Sequence, residues 1–313
     1  MQRREFIDGG LKLGTGLKLG GLAMAAPRAA ATAGSAAAPG ATSASARSAR
    51  LLAGICCYSY RAALTARTMT YEDIIRQAAE IGLDTVDLTV YWLPEDAGYR
   101  RRLRQFAYRH AIHWSGLAAR TSFTAATAEG RARELQDARR WVDATNAMGA
   151  SHLRIFGGVV PPGRAEAEVI PQVVDGMAQL AEYAGGQGIT LGIENDFGVT
   201  TTADQVLHYV QAVHSPWLGI NDDCFNYPRD SYASFERCLP YATHIHLKSQ
   251  VHDAAGQVQP ADWPRLFAMM QHAGYRGSVS LEYEAAADPA MEIPRLARTL
   301  VTMVREFNRT QQG

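Results

Sequence analysis

From Leu51 to the end of the chain, short apolar runs suited to strands buried on both faces alternate with longer stretches of helical period. The runs predict strands at Leu52–Tyr58, Thr85–Val90, His113–Leu117, His152–Phe156, Thr190–Glu194, Leu218–Asp222, Thr243–Lys248 and Ser278–Tyr283. The intervening periods predict helices at Thr70–Ile81, Tyr99–His110, Ala128–Met148, Pro171–Gln187, Ala203–Val213, Ser231–Cys238, Trp263–His272 and Ala290–Phe307. Several helices stop at a glycine just before the next strand, as in Ile81-Gly82-Leu83 and Met148-Gly149-Ala150. Glycine past the last turn adopts the left-handed conformation that a side chain disfavours. One unit recurring at the same phase along about 260 residues predicts a single α/β domain, residues 51–313, closed as a (β/α)8 barrel, which typically needs about 250 residues. An open doubly wound sheet would carry a glycine-rich first turn, and no Gly-x-Gly-x-x-Gly follows any of these strands.

Upstream of Leu51 the pattern fails. Met1-Gln2-Arg3-Arg4-Glu5-Phe6-Ile7 places paired arginines before a weakly apolar Gly/Leu/Ala stretch, which reads as a twin-arginine export signal over residues 1–33. Ala23-Met24-Ala25 and Ala31-Thr32-Ala33 are both cleavage candidates. The apolar region is short, glycine-rich and interrupted by Lys12 and Lys18, so no stable membrane anchor is expected. Residues 34–50, almost only Ala, Ser, Thr, Gly, Pro and Arg, cannot bury enough surface to offset chain entropy and are expected to be a disordered linker. The expected partner is therefore the twin-arginine export machinery, and the expected compartment the periplasm.

Charge removes one class of function. The 31 basic and 31 acidic residues cancel, which gives no electrostatic case for nucleic acid. The four cysteines, Cys56, Cys57, Cys224 and Cys238, form no spaced framework, and adjacent Cys56 and Cys57 should face opposite ways on a strand rather than clamp a metal.

The chemistry collects at the carboxyl ends of the strands, the face on which barrels of this kind build their sites. Four consecutive predicted strands end in Glu194, Asp222-Asp223, His246 and Glu282. Three carboxylates converging at one height repel one another unless a cation sits among them, so Glu194, Asp223, His246 and Glu282 are the candidate ligands of one divalent metal. Asp223 is preferred to Asp222 because it stands three residues before Asn226, and Glu282 to Glu284 because the latter should lie out on the rim. Three oxygens and one nitrogen suit Mn²⁺, the favoured ion, or Mg²⁺, and would accept Co²⁺ or Zn²⁺. Glu194 and Glu282 are also the candidate base and acid, with Lys248 on the same face as His246 placed to stabilise an oxyanion. Arg154, facing inward from the fourth strand, either pairs with a site carboxylate or binds substrate. Tyr58, Tyr60, Trp92, Trp114 and Phe197 stand near strand ends as candidate walls for a sugar ring.

The ordered runs Gly-Ile-Glu-Asn, Asp-Cys-Phe-Asn, His-Ile-His-Leu-Lys and Leu-Glu-Tyr-Glu resemble the xylose isomerase-like TIM barrel superfamily of sugar isomerases and epimerases, over about Leu52 to Phe307. The resemblance implies a small sugar or sugar derivative as substrate and proton abstraction beside a carbonyl through a metal-bound enediolate. A lyase or dehydratase acting on a keto-sugar or keto-glycoside in the same metal site is the alternative it leaves open. Asn226 stands where many epimerases carry His, and Asp87 where the second strand often carries Glu. Both are expected at the substrate, with Arg154, Trp92, Tyr58 and Glu284. The endonuclease branch is disfavoured, since the extra histidines and the basic face it needs are missing from the sequence.

Overall fold

The computed structural model describes residues 50–310. The expected signal, residues 1–33, and all of the expected linker except Arg50 lie outside the described residues. The chain runs β1 (Leu51–Cys56), α1 (Arg61–Ala66), α2 (Tyr71–Ile81), β2 (Thr85–Thr89), α3 (Ala97–Arg109), β3 (His113–Ala118), α4 (Ala128–Met148) and β4 (His152–Ile155). It continues through α5 (Glu166–Gly185), β5 (Thr190–Glu194), α6 (Ala203–Val213), β6 (Leu218–Asp223), α7 (Ser231–Cys238), β7 (Ala242–Leu247), β8 (Gln250–His252), β9 (Val258–Pro260), α8 (Trp263–His272), β10 (Gly277–Leu281) and α9 (Pro289–Thr310). Eight of the strands close in the order β1-β10-β7-β6-β5-β4-β3-β2, every pairing parallel, so the chain is a (β/α)8 barrel with helices between its strands. Asn308 of α9 ties the closure, accepting the Leu51 N–H at 2.8 Å and donating to the Leu51 carbonyl at 2.9 Å.

Local signals explain most boundaries. Thr70 caps α2 in a reciprocal box with Asp73, and Gly82 ends that helix at φ +87°. Three departures from expectation have physical reasons. First, α5 begins at Glu166, a turn before the expected start at Pro171. The proline removes only one internal N–H donor, while Val169, Val173 and Met177 bury one continuous helical face and Glu166 and Glu168 complement the positive helix start. Second, β8 and β9 form an antiparallel hairpin between β7 and α8 that the apolar pattern does not announce, because Val258 to Pro260 are exposed. Its turn is built by Asp253, whose Oδ1 accepts the N–H groups of Ala255 and Gln257, with Gly256 at φ +80°. Third, β1 ends at Cys56 rather than Tyr58, and Cys57–Tyr60 turn as a 3-10 helix.

Inside the barrel, the layer below the site is made by a histidine filling the space over two glycines. His152 is buried, and burial pushes its imidazole down to about 3, so it packs as a neutral ring. A Cβ on Gly192 would lie 2.5 Å from His152 Nε2 and 3.0 Å from Thr243 Oγ1. Gly192→Ala is therefore expected to destabilise the domain by about 1–3 kcal/mol, read as a lower urea midpoint with an unchanged slope.

Candidate metal centre and substrate cavity

The register of the barrel brings the four expected residues to one place. Glu194 ends β5 opposite Asn221 of β6, Asp223 ends β6 opposite His246 of β7, and His246 faces Ser280 of β10, two residues before Glu282. A register shift between Ile220 and Asn221 puts an extra residue into β7. Past the shift Asp223 joins the cluster, while Asp222 packs against the Tyr227 hydroxyl at 2.8 Å. One donor atom from each of Glu194, Asp223, His246 and Glu282 lies within 4.8 Å of all the others, and all four residues are buried.

His246 is the hub. Its Nδ1 is 2.6 Å from Glu194 Oε1, 3.3 Å from Glu282 Oε2 and 4.0 Å from Asp223 Oδ2. Its Nε2 lies 2.7 Å from Asp87 Oδ2. A proton donated from Nε2 to Asp87 leaves the Nδ1 lone pair aimed at the three carboxylates, which is the arrangement of a ligating imidazole backed by a carboxylate. Asp87 therefore sits behind His246 on β2, not on the cavity surface where it was expected to meet substrate.

Each carboxylate is held by one set of contacts and keeps a face toward the centre. Asp223 Oδ1 accepts the N–H groups of Phe225 and Asn226 at 2.8 and 3.1 Å. Its Oδ2 and His246 Nδ1 form no well-aligned hydrogen bond among the described residues and meet only charged neighbours, Lys248 Nζ at 3.1 Å for the first and Glu194 and Glu282 for the second. Glu194 Oε1 accepts from Asn221 Nδ2 at 2.9 Å; Asn221 meets His244 Nδ1 at 2.7 Å, and His244 Nε2 meets Ser280 Oγ at 3.1 Å. This chain across four strands fixes the floor of the site, and burial holds His244 well below its ordinary value, so it stays neutral. Glu282 Oε1 accepts the Cys56 thiol at 3.4 Å; burial pushes that thiol up to about 12, which keeps it protonated.

The electrostatics read as a cation site. Burial pushes the Asp223 carboxyl up to about 8 although Lys248 opposes the shift. Burial would raise Glu282 too, but Lys248, His246 and Arg154 outweigh it and hold that carboxyl well below its usual range. Burial would likewise strip His246 of its proton; Glu282 and Glu194 outweigh that and raise it well above normal. In the metal-free chain a protonated imidazole thus supplies positive charge among three acids. Oδ2 and Nδ1 atoms that no well-aligned hydrogen bond occupies, in a buried four-donor cluster, fit a divalent ion, and the cluster could hold one.

Above the cluster opens a cavity of about 300 Å³, lined by Arg154, Lys248 and Glu284 among others. Lys248 Nζ lies 3.1 Å from Asp223 Oδ2 and 3.3 Å from Glu282 Oε2, donates to Asn226 Oδ1 at 3.1 Å and pairs with Glu284 on the rim. Arg154 pairs with a site carboxylate, its Nη1 3.2 Å from Glu194 Oε2, and its side chain lies on the cavity wall. Of the aromatic candidates, Tyr58 and Phe197 line the cavity. Tyr60 is buried in the core against Gln77, and Trp114, at the start of β3, lines a cavity of about 610 Å³ at the opposite mouth. Trp92 does not line the cavity either: its indole donates to Thr65 at 3.1 Å, and Tyr91 stands at the cavity in its place. Tyr91, Arg120, Phe156 and Asp196 complete the lining. Burial pushes the Asp196 carboxyl up to about 7. Asp196 shares the face of Glu194 by alternation and was legible on that ground; Tyr91 and Arg120 lie in irregular segments that no period announces, while Cys56 ends the regular strand β1. All four cysteines are buried unpaired thiols, and only Cys56 touches the cluster.

A parallel barrel with a buried carboxylate–imidazole cluster at its catalytic mouth defines a class of small-molecule enzymes that can employ a divalent ion. The chain belongs to the xylose isomerase-like TIM barrel family, whose pattern matches residues 75–306. No match is found among curated proteins. Among solved structures the chain is similar to D-psicose 3-epimerase with D-tagatose from Clostridium cellulolyticum H10, at 14% identity over 83% of this chain and 99% of that one, TM-score 0.66. It is similar to the probable 3-DHS dehydratase AsbF of Bacillus anthracis, at 15% identity over 80% and 98%, TM-score 0.62. It is also similar to a xylose isomerase-like TIM barrel protein from Mycobacterium smegmatis in complex with magnesium, at 18% identity over 75% and 89%, TM-score 0.60. At such identities the likeness is one of fold. None of the described helices is long and apolar enough to cross a membrane.

Proposed function

We propose that this protein is a divalent-metal-dependent isomerase or epimerase that moves a proton on the carbon beside the carbonyl of a small sugar. The observation that carries the reading is the meeting of Glu194 and Glu282 at His246 Nδ1, 2.6 and 3.3 Å away, directly beneath a polar cavity. Glu194, Asp223, His246 and Glu282 would hold the ion, with Mn²⁺ favoured by three oxygen donors and one nitrogen. Such an ion supplies polarisation of a carbonyl and its neighbouring hydroxyl. The residues of the chain do the rest. Glu282, kept ionised by Lys248, His246 and Arg154, is the base that takes the proton. Glu194, arriving from β5 with two strands between, takes a proton from solvent water and passes it to the other side of the reacting carbon, which inverts it while Glu282 later releases its own proton to solvent. Lys248, whose ammonium is stabilised by Asp223, Glu282 and Glu284 against the cost of burial, donates to the oxygen that gains charge. Tyr58, Tyr91 and Phe197 wall the ring, and Asn226 and Glu284 hold Lys248 in place.

The cavity's charges also favour an uncharged sugar. With a divalent ion added, Arg120, Arg154 and Lys248 balance Glu194, Asp196, Asp223, Glu282 and Glu284, so no excess positive charge awaits a phosphate. Processing outside the cytoplasm, after export through the twin-arginine route, belongs to the same proposal, since phosphorylated sugars are scarce there. Incubating the Mn²⁺-loaded protein with keto-sugars in D₂O tests the chemistry. Deuterium at the carbon beside the carbonyl of an intact skeleton is the expected result. Loss of water or of an aglycone would replace the reading with elimination, and no exchange with any sugar would remove both.

A further inference from the structure

The wall of the cavity continues outward past the ionisable cluster as a stack of alternating character. Arg154 reaches from Glu194 to Phe156, its guanidinium carbon 4.1 Å from that ring's centroid. Phe156 and Phe197 lie 4.8 Å apart between centroids, and Arg120 covers Phe197 at 5.4 Å. Beyond Phe197 a second cavity of about 330 Å³ opens, and Arg120 and Phe197 line both spaces. The first cavity, about 300 Å³, is at the lower end of the roughly 300–1,000 Å³ of small-molecule sites, so a ligand larger than one ring needs the second.

The second cavity has the chemistry of a polyol site. Ser122 Oγ and Thr124 Oγ1 stand 3.1 Å apart on its edge. Glu134 takes the Ala125 N–H with one oxygen and Asp137 takes Arg140 with one, leaving the other oxygen of each as an acceptor among the described residues. Two carboxylates disfavour a phosphate or carboxylate there and suit hydroxyl donors, while Arg120, stacked on Phe197 between the two cavities, supplies a donor. The floor depends on Gly158, at φ +109°, where a Cβ would lie 2.5 Å from Ser122 Oγ.

We infer that the substrate is a glycoside, with the ring that exchanges its proton over Glu194 and Glu282 and a second, uncharged sugar ring across Phe197 against Ser122, Thr124, Glu134 and Asp137. This inference rests on the sugar reading above and specifies its substrate class. Calorimetric titration of the full-length, Mn²⁺-loaded protein with D-fructose and with the keto-disaccharides turanose, maltulose and isomaltulose tests it. At least one disaccharide is expected to bind about tenfold or more tighter than fructose, a difference of about 1.4 kcal/mol. Val159→Trp, an exposed position on the second cavity, is expected to bring that disaccharide back to the affinity of fructose. Fructose binding with no gain for any disaccharide, or a gain that survives Val159→Trp, overturns the second subsite and leaves the sugar reading standing. Failure of every sugar to bind overturns both.

Discussion

The Glu194→Gln, Glu282→Gln double variant is expected to carry no bound divalent ion after purification and to exchange substrate protons at least about 10⁴-fold more slowly than the unaltered chain. Two of three anionic donors become neutral amides, so the attraction that offsets burying a doubly charged ion is largely removed. Proton transfer by a placed carboxylate is commonly worth about 10²–10⁴ in rate, and both candidate groups are lost together with the ion that polarises the carbonyl. Glutamine keeps the shape and the Asn221 contact but leaves buried Arg154 without its anion, so a melting curve of the variant is read beside its metal content. Asp222→Asn is the control. Burial holds that carboxyl well above its ordinary value, hence neutral, and its contact is the Tyr227 hydroxyl outside the cluster. Metal analysis should therefore find about one equivalent of ion in Asp222→Asn and none in the double variant. Equal metal content in the two would remove Glu194 and Glu282 from the site.

The same contrast between Asp222 and Asp223 shows where sequence reasoning reaches and where it stops. The barrel was legible because its strands are buried on both faces and its helices stop at glycines such as Gly82 and Gly149, both left-handed in the structure. The four clustered side chains were legible because strand ends of a parallel barrel share one mouth. Choosing Asp223 over Asp222 depended on the spacing to Asn226, and the shift at Asn221 that turns one aspartate inward and the other away is a pairing between β6 and β7. Such a pairing has no signature in either strand alone. Asp87 was placed at substrate by analogy of position, yet depth along β2 puts it one layer down, against His246. Trp92 and Tyr91 are neighbours in a single 3-10 turn, and which of them faces the cavity is set by Tyr58 and Thr65 packing from another segment. Period and composition decide elements and faces; depth, bulges and irregular turns decide which member of an adjacent pair does the chemistry.

In EDTA the protein is expected to lose thermal stability as pH rises from about 5.5 to 8, by roughly 5–10 °C, whereas saturating Mn²⁺ should flatten or reverse that slope. Asp196 and Asp223, raised to about 7 and about 8, and His246, raised well above its ordinary value, each bind a proton more tightly folded than unfolded. A group raised in this way contributes stability that is present at low pH and lost as pH climbs toward its folded value. The two aspartates act from about pH 4 upward and the histidine from about 6.5, so all three lower stability over the measured window. Glu282 has the opposite sign, but its contribution is lost only as pH falls below the ordinary glutamate range; His152 and His244, lowered by burial, also oppose the fall but only up to about pH 6.5, so the net loss is concentrated between about 6.5 and 8. A bound ion takes over the charge that protons otherwise supply, so Asp223 ionises, His246 gives up the Nδ1 proton, and affinity rises with pH. An ion at about a hundred times its dissociation constant adds about 2.7 kcal/mol, or roughly 5–10 °C for a domain of this size. Melting curves at pH 5.5 and 8, each with EDTA and with Mn²⁺, should show a stabilisation by metal that is small at the lower pH and large at the higher. An equal shift at both values would mean that the ion binds without displacing protons, and therefore somewhere other than the buried ring of Glu194, Asp223, His246 and Glu282.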